Sequence, residues 1–283
     1  MKTPTRLQPL VHEGLIDEVV RQLMSGKEAA VYVVRCGGDI RCAKVYKEAN
    51  KRGFRQAATY QEGRKTRNTR QARAMAKGTR FGRKAQEDAW QNVEVDTLYR
   101  LAAAGVRVPR PCAYSHGVVL MELLTDADGN AAPRLNDVVL SEALALEYHA
   151  MLLREIVRML CAGVIHGDLS EYNVLVTGEG PVIIDLPQAV DAAANNNAAT
   201  MLKRDVFNIT TYCSRFAPAL AATRYGDEIW SLYERAQLHP DVGLTGRFAA
   251  STRPADVAAV MQDIAAVRAE HEARLRYKAL IRQ

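Results

Sequence analysis

Apolar positions along this chain change period several times, and each change predicts an element. Over residues 12–24, Leu15, Ile16, Val19, Val20 and Leu23 recur at three- and four-residue steps, which predicts a short amphipathic helix. The pattern then turns β-branched in Val31-Tyr32-Val33-Val34. Gly37-Gly38-Asp39 predicts a hairpin, and Ile40-Arg41-Cys42-Ala43-Lys44-Val45-Tyr46 a return strand. Helical spacing resumes over 84–104, with Trp90, Val93, Leu98 and Leu101 as the stripe and Gly105 as the stop. Glu94 lies four after Trp90 and four before Leu98, on that apolar stripe. A carboxylate there needs a partner, and Lys44 on the return strand is the obvious one. Residues 117–124 predict an apolar strand ending in Met121-Glu122-Leu123, followed by the polar turn Asp126-Ala127-Asp128-Gly129-Asn130. Further on come a long helix over 141–162, a hairpin pairing 174–176 with 182–184, and helices over 200–213 and 253–283.

The candidate chemistry sits between the long helix and that hairpin. Ile165-His166-Gly167-Asp168-Leu169-Ser170-Glu171-Tyr172-Asn173 is followed closely by Ile183-Ile184-Asp185. Asp168 can accept or orient the proton of an attacking hydroxyl. Asn173, five residues later, and Asp185, across the hairpin, offer oxygen ligands to Mg²⁺ or Mn²⁺ bridging ATP phosphates. An Asp at a strand end is often only a cap, but the three residues with this spacing and this hairpin are far more specific together. Ser25-Gly26 forms a turn at the mouth of the 31–46 hairpin, with Lys27 just after it, and backbone N–H groups there can lie over phosphates. Ala43-Lys44-Val45-Tyr46 resembles the kinase strand whose Lys holds the α- and β-phosphates. Met121-Glu122-Leu123 stands where a hinge would meet adenine.

Composition narrows the class. The chain has 283 residues, 48% apolar and 25% charged, as expected for a globular protein. No run approaches the roughly 18 apolar residues that a membrane span needs, and the N-terminal residues do not read as a signal peptide. Five scattered cysteines without C-x2-C spacing read as reduced thiols of a cytoplasmic protein, and no histidine pattern suggests a structural metal. The net charge of +6 is uneven. Residues 47–84 hold thirteen Lys or Arg against two acids, a local +11 that leaves the remainder at −5. Such a segment is either a solvated loop or a contact for RNA or the ribosome.

These residues resemble the RIO-type atypical serine/threonine protein kinases, closest to the type 1 branch. The matching pieces are Ser25-Gly26-Lys27-Glu28-Ala29-x-Val31-Tyr32, Ala43-Lys44-Val45-Tyr46, Ala132-Pro133-Arg134-Leu135, the eight residues His166 to Asn173, and Ile183-Ile184-Asp185-x-x-Gln188-Ala189-Val190. They occur in family order over about residues 10–215. The resemblance implies an α+β, two-lobed, protein-kinase-like fold. Its N-lobe would be an antiparallel sheet with a helix, its C-lobe mainly helical, with no conventional activation segment. The chain divides accordingly into a helical extension over 1–24, an N-lobe over 25–121 with the basic insertion at 47–84, a C-lobe over 122–229 and a helical extension over 230–283. It implies an ATP- and Mg²⁺-dependent Ser/Thr kinase that acts on itself or on another protein. Asp168 and Asp185 would be catalytic, and Asn173 and Asp185 would hold the metal. The nucleotide would meet Ser25, Gly26, Lys27, Val31, Ala43, Lys44, Glu94, Met121, Glu122, Leu123, Leu175 and Ile184. In this family the metal-binding Asp can itself be phosphorylated, which makes Asp185 the centre of an ATPase switch. Family members act in small ribosomal subunit maturation, which points the basic segment at RNA or the ribosome.

The chain departs from the family in three places. Gly167 replaces the Ala usual in type 1 members, Leu186-Pro187 follows the metal Asp, and a helical segment replaces the disordered tail. Composition fits a bacterial member. Two other readings use the same residues: a small-molecule phosphotransferase of the aminoglycoside or choline type, and an RNA-binding module that uses ATP as a switch.

Overall fold

The computed structural model describes residues 3–26, 29–47 and 93–249. Residues 1–247 form one compact unit. Lys27, the basic insertion from residue 48 onward, the start of the helix expected at 84 and the tail from residue 250 lie outside the described residues.

The upper lobe is a five-stranded antiparallel sheet in the order β1-β2-β3-β5-β4. Its strands are β1 (Glu18–Ser25), β2 (Ala29–Cys36), β3 (Asp39–Tyr46), β4 (Pro111–Ser115) and β5 (Val118–Glu122). Gly37 and Gly38 both have positive φ, 59° and 92°, which a two-residue hairpin turn requires, and they set Cys36 opposite Asp39. The period of two then assigns the side chains. Ala30, Tyr32, Val34, Ala43, Val45, Val118 and Leu120 face one way, covered by Leu7, Leu10 and Ile16. Ala29, Tyr46 and Val119 belong instead to the main core, which is continuous with the lower lobe.

Residues 12–24 do not form the expected helix. The chain makes the short helix α1 (Gln8–His12), turns at Gly14 and enters β1. Val19 is buried and Val20 is 38% exposed, which is strand alternation rather than one helical face. Pairing with β2, with register shifts between Val19 and Arg21 and between Gln22 and Met24, overrode the helical spacing.

Helix α2 covers 93–103 among the described residues. It ends as expected at Gly105, where the Val106 N–H reaches the Leu101 carbonyl at 3.0 Å and the Gly105 N–H the Ala102 carbonyl at 3.1 Å. The lower lobe holds α3 (Glu142–Cys161), α4 (Ala198–Ser214) and α5 (Tyr225–Glu234). Ser141 caps α3 by accepting the Leu144 N–H at 3.2 Å. Between α3 and α4 lie β6 (Val164–Ile165), the predicted hairpin β7 (Val174–Thr177) and β8 (Gly180–Ile183), and β9 (Val190–Asp191), which pairs with β6. The molecule is thus α+β, with an antiparallel sheet first and helices after it. No helix among the described residues is long and apolar enough to cross a membrane.

Candidate active site

Lys44 projects from β3 on the side away from the α1 cover. Its Nζ lies 2.5 Å from Glu94 Oε1 on α2 and 2.9 Å from Asp185 Oδ1 of the lower lobe. Glu94 is 6% exposed, and its other oxygen accepts the Tyr46 hydroxyl at 2.7 Å. The expected Lys44–Glu94 pair is therefore present, and Tyr46 completes the hydrogen bonding that a buried carboxylate requires. Burial disfavours the Lys44 ammonium, but the Glu94 and Asp185 carboxylates outweigh it and hold its pKa above the usual range. Burial raises the Asp185 carboxyl, yet Lys44 first, then His166 and Arg134, bring it below its ordinary value. Asp185 itself has φ +68°, a left-handed conformation that few non-glycine residues adopt.

The loop carrying Asp168 is held mostly through its backbone. Asp205 on α4 is 1% exposed and accepts two N–H groups, from Gly167 at 2.7 Å and Leu169 at 3.0 Å. Asn208 donates to the Leu169 carbonyl at 2.9 Å, and Arg204 donates to the Gly167 carbonyl. His166 Nδ1 accepts the Asp168 N–H at 3.3 Å, so its Nε2–H donates to the Ile184 carbonyl at 3.0 Å. That ring ties the Asp168 loop to the residue before Asp185. Asn173 is tied in as well: its Nδ2 donates to the Asp168 carbonyl at 2.8 Å, which leaves the amide oxygen as the ligand atom. Partial burial pushes the Asp168 carboxyl above its usual pKa, against the pull of His166 and Arg204.

Lys44, Tyr46, Glu94, Asp168, Asn173 and Asp185 line one cleft of about 610 Å³, and Asp205, Asn208 and His166 hold the Asp168 loop from outside that lining. Of the expected residues, Gly26, Val31, Lys44, Glu94, Met121, Glu122, Leu123, Asp168, Asn173, Leu175, Ile184 and Asp185 line it. Ala43 does not. It is fully buried on the α1-covered face of the sheet, and its neighbour Cys42 lines the cleft instead. Adjacent strand residues face opposite ways, so Lys44 and Ala43 cannot share a cavity. Ser25 does not line the cleft either; its Oγ accepts from Lys47 Nζ at 2.7 Å, and Lys47 also donates to the carbonyl of Gly26, which does line it, at 2.7 Å. Lys27 lies outside the described residues.

Gly167 is more than a mild replacement in this backbone. Its φ is +82°, and a Cβ there would stand 2.6 Å from the Gln188 carbonyl oxygen and 2.8 Å from Met201 Cε. Sequence reasoning also missed Arg204, Asp205 and Asn208. They lie on a helix that also carries Thr200, Lys203, Thr210, Thr211 and Ser214, so no local signal set them apart. The donor set suits a hard divalent cation: one carboxylate and one amide oxygen lining the same cleft. Among the described residues no cluster of three His, Cys, Asp or Glu offers a competing metal site.

A two-lobed body with a buried Lys–Glu pair above the cleft and an Asp, Asn and Asp below it defines a phosphotransferase of the protein-kinase class. Comparison with known proteins is specific. The RIO domain family matches residues 30–225. The chain is 37% identical over 209 residues to the RIO-type serine/threonine-protein kinase Rio1 of Haloferax volcanii, covering 73% of this chain and 67% of that protein. It is 30% identical over 202 residues to Rio1 of Methanocaldococcus jannaschii, with 71% and 64% covered. With the serine/threonine-protein kinase RIO1 of Homo sapiens it shares 29% over 225 residues, 79% of this chain but 38% of the human protein. The chain belongs to the RIO family of serine/threonine protein kinases.

Proposed function

We propose that the cleft binds ATP with Mg²⁺ or Mn²⁺ and that Asp168 directs transfer of the γ-phosphate to a Ser or Thr hydroxyl of a protein, itself included. One observation carries this reading: Lys44, Asp168, Asn173 and Asp185 converge on one cleft whose far end is apolar, lined by Val31, Cys42, Met121 and Leu175. The apolar end suits adenine. The Glu122 N–H is already taken by the Arg110 carbonyl at 2.9 Å, which makes Leu123 the hinge residue for the adenine edge.

At the polar end, Glu94 holds Lys44 extended so that its ammonium meets the α- and β-phosphates. Asp168, set by the His166 and Asp205 bonds, orients the incoming hydroxyl and accepts its proton as the phosphate transfers. Asn173 and Asp185 would hold the divalent cation, which when bound neutralises phosphate charge. Gly26, with Ser25 beside it, covers the phosphates from above, and Lys47 holds that turn in place.

The test uses γ-labelled ATP with wild type, Asp168→Ala and Asp185→Ala. Asp168→Ala should bind ATP normally and transfer phosphate about 10²–10⁴-fold more slowly. Transfer at the wild-type rate would refute the assignment. An acid-stable label marks a hydroxyl product, whereas a hydroxylamine-labile label lost in Asp185→Ala marks an aspartyl phosphate. Contact of residues 47–84 with RNA or the ribosome rests on charge alone, and its sign is an affinity that falls steeply with salt.

A further inference from the structure

Arg134 carries the only polar side chain of the Ala132-Pro133-Arg134-Leu135 motif, and among the described residues that side chain has no evident structural duty. The backbone around it is firmly placed. The Pro133 carbonyl accepts the Val176 N–H at 2.9 Å, Arg134 bridges to Leu175, and the Arg134 carbonyl accepts the Asp137 N–H at 2.9 Å. Leu135 is fully buried, and its carbonyl accepts the Tyr212 hydroxyl at 2.7 Å. This anchoring delivers the Arg134 side chain into the cleft, where it lines the same cavity as Lys44, Asp168, Asn173 and Asp185.

A guanidinium carries five N–H donors and a permanent charge. Among the described residues no carboxylate pairs with Arg134. Its single polar contact is Nη2 to the Met24 sulfur at 3.8 Å, a weak acceptor one residue before the Ser25–Gly26 turn. Arg134 also lies within electrostatic reach of Asp185. Lys44 is in the opposite situation, with two carboxylates on one ammonium. Counting Lys44, Glu94, Asp168 and Asp185, the polar end of the cleft is net negative without Arg134. Lys44 and a divalent cation bring that end only to neutrality, so a polyphosphate entering it needs further positive charge, and a partly buried guanidinium able to make forked bonds to phosphate oxygens supplies it.

We propose that Arg134 is a phosphate-binding residue that grips the phosphate chain of the nucleotide from the lower lobe, opposite Lys44. The inference rests on the cleft being the ATP site, and the experiment separates the two. Adenosine, AMP, ADP and ATP are titrated in Mg²⁺ buffer against wild type, Arg134→Met, which keeps much of the stem, and Arg134→Lys, which keeps the charge.

If the proposal holds, Arg134→Met leaves adenosine affinity unchanged and weakens the phosphorylated ligands roughly ten- to hundredfold, with Arg134→Lys in between. Unchanged adenosine binding also shows that the variant is folded. Equal losses for adenosine and ATP would overturn it, because Arg134 would then shape the cleft rather than read phosphate. Unchanged ATP affinity with a raised KM for a protein substrate would also overturn it, assigning the guanidinium to an acidic group of that substrate. Wild type that binds none of the four ligands would refute the ATP site itself, a result recognisable without any variant.

Discussion

On the lower wall of the cleft, Asp205 and Asn208 grip the main chain of residues 167–169, with Asp205 almost fully buried. On the upper wall, Lys44, Glu94 and Asp185 are joined through side-chain charges, one of them reaching across from the lower lobe. The difference bears on what each wall can do. Backbone bonds to a buried carboxylate have no replacement partner when broken, so the Asp168 loop is fixed before any ligand arrives. The Lys44–Asp185 contact joins two groups whose proposed ligands, phosphate and a divalent cation, compete for them. It can be exchanged on binding without loss of the fold.

The sharpest way to break this contrast is Asp205→Ala. It strands two buried N–H groups, at about 1–3 kcal/mol each, so unfolding in urea should show a loss of about 3 kcal/mol together with loss of phosphate transfer. A loss under about 1 kcal/mol with normal turnover would mean that the loop is held some other way.

Acid should next separate the lower-lobe core from the Lys44–Asp185 contact. His149 on α3 is 2% exposed, contacts Thr210 Oγ1 on α4 at 2.9 Å, and has its pKa lowered to about 4 by burial. The unfolded chain binds this proton below about pH 6.5 and the folded chain does not. Stability is therefore lost as pH falls from about 6.5 to 4, by up to about 3 kcal/mol. Burial raises Asp168 and Asp205 and works the other way, so the readout is the difference between wild type and His149→Gln. That difference should shrink as pH drops, and parallel curves would dismiss the role. Asp185, with its lowered pKa, keeps the upper pair ionised throughout this window.

The smallest effect is expected on the upper wall. Glu94→Gln leaves Lys44 its second carboxylate, so the stability loss should stay near 1–2 kcal/mol, below that of Asp205→Ala, while turnover falls. A larger loss than Asp205→Ala would invert the comparison.

Asp168, Asn173 and Asp185 were legible because their chemistry is written in one short stretch with a hairpin between. Glu94 was legible because a carboxylate on an apolar stripe demands a partner. The tie of Asp205 to Gly167 spans 38 residues and leaves no local trace, since a buried Asp inside a helix looks like any polar interruption. Local pattern also misread 12–24, where Leu15, Ile16, Val19, Val20 and Leu23 satisfy a helical period although the chain pairs as a strand.

The sequence by itself determined most of the elements around the cleft, β1 excepted, and which residue types could do chemistry there, because periodicity, turn glycines and motif spacing are local properties. With Lys44 in the cleft, strand alternation already set Cys42 rather than Ala43 there; the tertiary structure alone decided that Leu7, Leu10 and Ile16 cover the opposite face. It also decided how the Asp168 loop is anchored and that Arg134 enters the cleft with no carboxylate paired to it among the described residues. Those outcomes depend on strand partners and packing that lie tens of residues apart in the chain.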